Sequence, residues 1–480
     1  MGVGKQIANN VIWKYLELVS VTGIQLITTF VMARFLTRVD YGIMGLVTVF
    51  TAIANVFVDS GFGQALIREK SVTREDYSTI FYFNLLISLV LYVVLYFSSG
   101  TIATLFNQPI LENVCKVTFW ILPLNALSLV QITKMQRELK FKKLCLVSIT
   151  ALFLSSLIAI YIVYLYRNIW ALVFFNISIY FFKTLLLWLT TNFVPIIRFS
   201  ISSLKKYTFF SKNLLASAFV ATVFNNIYSV VIGRSYSTAE LGLYSQAERL
   251  KNLTSQTATQ VIQSVTYPFL SKMNNENEDI KEAYKKIIAV ALIFVGFIMT
   301  ILMGCSLDLF ELLMGSSEWR SAGYYFMLMG VNGILYPLHS INQNIIMVKG
   351  DSKTVFRLEV FRRFVMILIV LITINYDIVV FVFGITIYSI MLLFINLYYC
   401  GRPIQYGVYE QLKDTFPIFL RLFIMITVSL GTTFLIKSFS LPLRLSVTLS
   451  VGVITGILLF RNQKDFRNIL KLILLLANKK

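Results

Sequence analysis

Long apolar runs alternate with short polar connections from Val11 to Phe460, and most runs are long enough to cross a hydrocarbon layer of about 30 Å as a helix. The pattern predicts about fourteen spans, over residues 9–35, 41–67, 77–105, 114–132, 144–166, 170–188, 209–233, 241–270, 287–313, 322–347, 360–374, 378–399, 416–436 and 441–460. A bilayer interior offers backbone groups no water, so closely packed helices are the structure that satisfies them. The first, seventh and eighth spans are diluted by polar residues. They are retained because omitting one breaks the alternation of charged and uncharged loops.

Polar positions inside these spans follow helical spacing. In the eighth, Ser245, Arg249, Asn252, Gln256, Gln260 and Gln263 recur every three or four residues and so share one face, with Glu248 and Lys251 beside them. Thr48, Thr51, Asn55 and Asp59 do the same in the second span, and Lys14, Glu17, Val21, Gln25 and Thr28 in the first. In the seventh, Lys212, Asn225 and Ser229 are candidates with weaker periodicity. Such stripes have two readings. Either they line a wet cavity and meet a ligand, or they bond across helix interfaces, Lys14 with Glu17 and Arg249 with Glu248 as internal pairs. Lys183 stands alone in the sixth span, and Arg362 and Arg363 near one end of the eleventh are read as headgroup contacts.

An internal repeat at an offset of 200 residues changes the picture of domains. VMARFLTRVDYG, starting at Val31, matches VIGRSYSTAELG, starting at Val231, with Val31/Val231, Arg34/Arg234, Asp40/Glu240 and Gly42/Gly242 in register. An even number of helices separates the copies, so both point the same way across the bilayer. The expectation is two parallel, pseudo-symmetric six-helix lobes around a central cavity, residues 1–200 and 201–400, related by an axis along the membrane normal. Two further spans and an amphipathic tail occupy 401–480, the tail expected to lie flat on the cytoplasmic surface.

Composition agrees. The chain is 57% hydrophobic and 14% charged, with a mean hydropathy of +0.75, too apolar for a water-soluble globule and expected of an all-α polytopic membrane protein. Its net charge of +20 is mostly an orientation signal. With both termini cytoplasmic, the loops on that side hold about 27 Lys and Arg against about seven or eight on the other. No nucleic-acid partner is needed to explain the basic balance. The four cysteines form neither a CxxC pair nor a disulfide framework, and the only histidine, His339, is read as a hydrogen-bonded packing residue. MGVGK at the N-terminus lacks the spacing of a phosphate loop, and no metal or cofactor is implied. The first apolar run has no small-residue cleavage site after it and is read as a retained helix.

Two six-helix lobes, two extra helices, the repeat after the first helix of each lobe and the stretch RFLTRVDYGIMGLVTVFTAIANVFVDSGFGQALI resemble the polysaccharide flippases of the multidrug/oligosaccharidyl-lipid/polysaccharide (MOP) exporter superfamily. Within it the chain is most similar to the Wzx-type translocases of O-antigen, capsule and exopolysaccharide repeat units. The resemblance implies a substrate, an oligosaccharide joined through a diphosphate to undecaprenol, carried across the bacterial inner membrane to its periplasmic leaflet. It implies a V-shaped pair of lobes with alternating access, membrane lipids as surroundings, and a polysaccharide polymerase and chain-length proteins as partners. In the related lipid II flippases, cations on the first and eighth helices meet the diphosphate and the last two helices form a groove for the lipid tail. Lys14 and Arg249 occupy the matching helices here, whereas the second-helix arginine of that group is replaced by a region holding Asn55 and Asp59, which points away from lipid II itself.

The expected substrate site therefore comprises Lys14, Gln25, Asn55, Lys212, Asn225, Arg249, Asn252, Gln256 and Gln260, the cations for phosphate and the amides for sugar hydroxyls. Glu17, Asp59 and Glu248 are the expected positions for coupling to H⁺ or Na⁺. Two other functions compete. An ion-coupled multidrug antiporter of the same superfamily calls for acids in an aromatic chamber. A membrane polymerase or acyltransferase calls for a large catalytic external loop or a catalytic histidine, which the short external connections and an isolated His339 do not provide.

Overall fold

Each apolar run becomes a helix, and the polar residues between runs determine where helices start. A computed structural model describes residues 3–59, 61–272, 277–349 and 351–463, together with Phe466. Its helices are α1 (Val3–Ala33), α2 (Arg38–Asp59), α3 (Phe62–Arg68), α4 (Arg74–Leu105), α5 (Ile110–Thr118), α6 (Ile121–Arg137), α7 (Phe141–Tyr166), α8 (Trp170–Thr190) and α9 (Ile201–Asn225). They continue with α10 (Ile227–Ser235), α11 (Thr238–Lys272), α12 (Asn277–Met314), α13 (Arg320–Val348), α14 (Ser352–Thr373), α15 (Ile378–Gly401), α16 (Val408–Leu435) and α17 (Leu441–Phe460). Because α3, α6 and α10 each continue the helix before them, the described residues form fourteen helical rods, the expected all-α polytopic architecture.

Eleven rods among the described residues are long and apolar enough to span a membrane. The other three, α11, α13 and α14, are long but more polar: α11 carries the Gln and Asn ladder, and α14 contains Lys353, Arg357, Glu359, Arg362 and Arg363. The expected amphipathic tail, residues 464–480, lies outside the described residues apart from Phe466, whose ring is 5.9 Å from that of Phe460 and 6.0 Å from that of Phe297.

By internal contacts the chain divides into two compact units, Met1–Gly242 and Leu243–Lys480. In the first, α1 packs on α7, α7 on α8, and α6 on α2, α4 and α8, around an aromatic core that includes Phe62, Phe81, Phe193 and Tyr207. In the second, α12 is the hub, packing on α13, α16 and α17, while α13 packs on α15. The last two helices are fixed there by charge. Asp308 of α12, 1% exposed, accepts from Arg444 of α17 at 2.9 Å, and Arg320 approaches both Asp308 (3.8 Å) and Glu311 (3.2 Å). A carboxylate buried this deeply is tenable only when paired, and removing one partner of such a pair costs about 3–5 kcal/mol.

The 200-residue repeat has a structural cause. Both acids lie three residues after a capping hydroxyl: the Thr37 amide donates to Asp40 Oδ2 (2.9 Å) and Thr37 Oγ1 accepts from the Asp40 amide (3.3 Å) at the start of α2, and Ser237 Oγ accepts from the Glu240 amide (3.1 Å) at the start of α11. The glycines are matched reciprocally. A Cβ on Gly42 would lie 1.7 Å from the Thr238 carbonyl oxygen, and one on Gly242 would lie 1.8 Å from that of Arg38, residues themselves 200 apart. Within the first unit the two signatures thus meet face to face across a local pseudo-twofold, backbone against backbone.

No side-chain rotation relieves a clash with a carbonyl, so Gly42→Ala and Gly242→Ala are each expected to force the helix starts apart. The cost expected is about 1–3 kcal/mol or more. Detergent thermal-denaturation curves check it. Gly23→Ala, whose added methyl meets nothing within 4 Å, is the control that leaves the midpoint unchanged.

Candidate functional site

The polar stripe of α1 faces α7 and α8. Lys14, Glu17 and Gln25 line one recess of about 250 Å³ with Ser148 of α7 and Lys183 of α8, in otherwise apolar surroundings that include Leu18, Val21 and Ile179. Lys14 Nζ lies 2.8 Å from Glu17 Oε2, and Ser148 Oγ donates to the other carboxylate oxygen at 2.7 Å. The pair is asymmetric: the Lys14 side chain is 61% exposed and that of Glu17 only 16%. Glu17 is therefore held at the wall by two helices, while the ammonium reaches outward on a flexible stem.

The α2 stripe leads to a second and larger recess. Asn125 of α6 donates its amide to Asn55 Oδ1 at 3.0 Å and to Asp59 Oδ1 at 3.3 Å. Asp59 and Asn125 then line a recess of about 610 Å³ with Gln64, Thr133 and Gln136. The chain turns sharply at its edge, where Gly61 adopts φ +71° against Leu214 of α9, a conformation that favours glycine. Lys212 and Asn225, both on α9, are exposed, Lys212 with its ammonium 4.8 Å from the Phe209 ring centre.

In the second unit the α11 stripe forms as spaced. Arg249, Asn252 and Gln256 are half-buried and Gln260 is exposed. Gln256 donates to Asn252 at 3.2 Å, one turn away, and Tyr244 donates to Glu248 at 3.2 Å. Lys251, off the stripe, is buried. His339 packs as expected, hydrogen-bonded to Ser389 (3.0 Å) and Asn396 (2.8 Å) of α15. Arg362 departs from its headgroup reading. Its side chain is 11% exposed and bonds to Glu359 and to Asn396, each at 2.6 Å, because α14 lays this charged turn against α15 instead of outward.

The structure thus brings Lys14, Glu17 and Gln25 to one recess and Asp59 to another, where Asn55 bonds to the lining residue Asn125, both within the first unit. Arg249, Asn252 and Gln256 lie along one helix of the second unit. Sequence reasoning left Lys183 without a partner and missed Ser148 and Asn125, polar residues that belong to none of the stripes read along the chain. A lone Lys or Asn in hydrocarbon was itself the available signal, since it demands a partner. No group of three or more His, Cys, Asp or Glu that could hold a metal ion occurs among the described residues.

Residues 31–323 match the family described as polysaccharide biosynthesis protein, more than half of the chain, and the protein belongs to that family. The chain is 24% identical over 359 residues to the teichuronic acid biosynthesis protein TuaB of Bacillus subtilis, covering 74% of each chain. It is 22% identical over 368 residues to the lipopolysaccharide biosynthesis protein WzxC of Escherichia coli, covering 74% of this chain and 72% of that one. Its fold is that of the lipid II flippase MurJ in an inward closed conformation (TM-score 0.64, 15% identity, 95% of this chain and 99% of that one). It also matches an inward-facing multidrug resistance MATE family transporter of the MOP superfamily (TM-score 0.54, 15% identity, 82% and 96%).

All four native cysteines are buried, which makes the larger recess testable by labelling. Wild-type protein in membranes is expected to resist a charged maleimide. Gln64→Cys, placing a thiol at an exposed position of that recess, is expected to react at least about tenfold faster; equal rates would show that water does not reach it.

Proposed function

We propose that the protein is a flippase moving undecaprenyl-diphosphate-linked oligosaccharide repeat units from the cytoplasmic to the periplasmic leaflet of a bacterial inner membrane by alternating access, with both termini cytoplasmic. The family match across residues 31–323 carries this reading, and the charged recess of α1 inside an apolar bundle supplies its chemistry. A sugar head cannot enter hydrocarbon alone, because each hydroxyl would lose hydrogen bonds to water. Polar recesses remove that barrier.

In this reading Lys14 and Arg249 bind the diphosphate. Glu17 is fixed by Ser148, so Lys14 exchanges it for phosphate without disturbing the wall. Gln25, Asn55, Lys212, Asn225, Asn252, Gln256 and Gln260 serve the rest of the headgroup, the amides bonding hydroxyls exchangeably. Moving negative charge outward through an inside-negative membrane gains about 2.3 kcal/mol per charge per 100 mV. Loss of Lys14 to the substrate leaves Glu17 ready to take up a cation, with Asp59 and Glu248 as further coupling groups. Delivery to a polymerase and chain-length proteins completes the pathway. The chemistry asked of the protein is binding and release, with no bond made or broken.

Deleting the gene is expected to strand an undecaprenyl-linked oligosaccharide on the cytoplasmic leaflet. Complementation with Lys14→Ala or Arg249→Ala is expected to restore less than about a tenth of wild-type export, a loss of about 1.4 kcal/mol or more. Full rescue by both variants would reject these residues while leaving the transporter class standing. Collapsing the H⁺ and Na⁺ gradients in turn at fixed potential is expected to slow transport in one case. Unchanged rates in both would remove Glu17, Asp59 and Glu248 as coupling groups.

A further inference from the structure

A recess of about 350 Å³ in the second unit takes no part in the site above. It opens where α12 begins, against the end of α15, the turn after it and the start of α16. Its floor is apolar, with Leu338 and Ile418, and its rim is charged, with Glu282, Lys285, Lys286 and Asp414. That is the profile of a site at headgroup depth, where hydrocarbon gives way to water. The positive-inside pattern assigns this end to the cytoplasmic leaflet.

Two features show that the recess is incomplete. Gln411 is 2% exposed, and its amide nitrogen donates to the carbonyls of Leu397 (2.8 Å) and Tyr406 (2.7 Å), which orients the side chain. Its oxygen Oε1 is left with no donor, a buried acceptor carrying its full desolvation cost. Lys286 is exposed at the rim and makes no ion pair among the described residues. Its neighbours are satisfied: Lys285 sits 3.3 Å from Asp414 and 3.5 Å from Glu282, Lys281 sits 2.9 Å from Glu410, and Tyr406 donates to Asp414 at 2.6 Å.

The ligand's chemistry follows from this inventory. At the rim Lys285 and Lys286 balance Glu282 and Asp414, so a purely anionic head would meet two carboxylates and a purely cationic one two ammonium groups. A zwitterion suits both. Its anion belongs at Lys286, and its cation must carry N–H, because Gln411 Oε1 needs a donor that a quaternary ammonium lacks. The apolar floor calls for attached hydrocarbon. We propose that this recess binds a phosphoethanolamine lipid headgroup, phosphate at Lys286 and primary ammonium toward Gln411 Oε1, independently of the transported substrate.

Purified full-length protein in detergent, titrated by native mass spectrometry with phosphatidylethanolamine, phosphatidylcholine and phosphatidylglycerol of equal chain length, tests this. The ethanolamine lipid is expected to bind about tenfold tighter than the other two. Lys286→Ala is expected to weaken all three, and Gln411→Leu to erase the preference for ethanolamine over choline. Gln411 also holds the Tyr406 turn, so Ala289→Trp, which fills the recess, provides a second route and is expected to abolish binding. Thermal-denaturation midpoints verify that the variants fold. Equal affinity for the ethanolamine and choline lipids, or unchanged binding in both Lys286→Ala and Ala289→Trp, overturns the proposal. So does glycerophosphoethanolamine binding as tightly as the lipid, which would assign the recess to a soluble phosphodiester.

Discussion

A polar group in hydrocarbon has no solvent to fall back on, and the positions of charge in this protein follow from that constraint. The carboxylates described above inside the helical spans each have a cation, hydroxyl or amide beside them. Asp308 holds Arg444, Glu17 holds Lys14 and Ser148, and Asn125 serves Asn55 and Asp59 together. Where the pairing is complete and deep, as between α12 and α17, it ties helices together. Where one partner is exposed, as with Lys14, the same interaction becomes exchangeable. The difference between scaffold and site is one of access, set by which helix covers the pair.

Much of the fold was legible in the sequence because hydropathy and length act locally. The fourteen predicted spans match fourteen rods among the described residues, and even the dilute first, seventh and eighth segments are helices. What the pattern missed is direction. Arg362 and Arg363 read as headgroup contacts because they sit near a helix end, yet Arg362 turns inward to Glu359 and Asn396. Arg444, at the start of the last predicted span, is the buried anchor of that helix, which no periodicity marks. Periodicity says that two residues share a face of their own helix; it carries nothing about which neighbour that face meets.

The candidate site was legible in the same partial way. The α1 and α11 stripes form as spaced, but the residues that complete the recesses, Ser148, Lys183 and Asn125, come from helices in which no polar stripe was read. The repeat signature, by contrast, was visible as sequence and explained only by structure: its hydroxyls cap helices and its glycines admit a carbonyl.

That reciprocal notch has a consequence for how the chain can change. Each glycine is required by a backbone atom belonging to the other copy, two hundred residues away, so neither motif can drift on its own. Two stretches that no longer perform identical tasks remain bound to a common shape at this one point. An insertion or deletion that shifts either helix start by a residue would break the fit on both sides at once, so length variation among descendants of this chain should gather in the loops and spare the two turns.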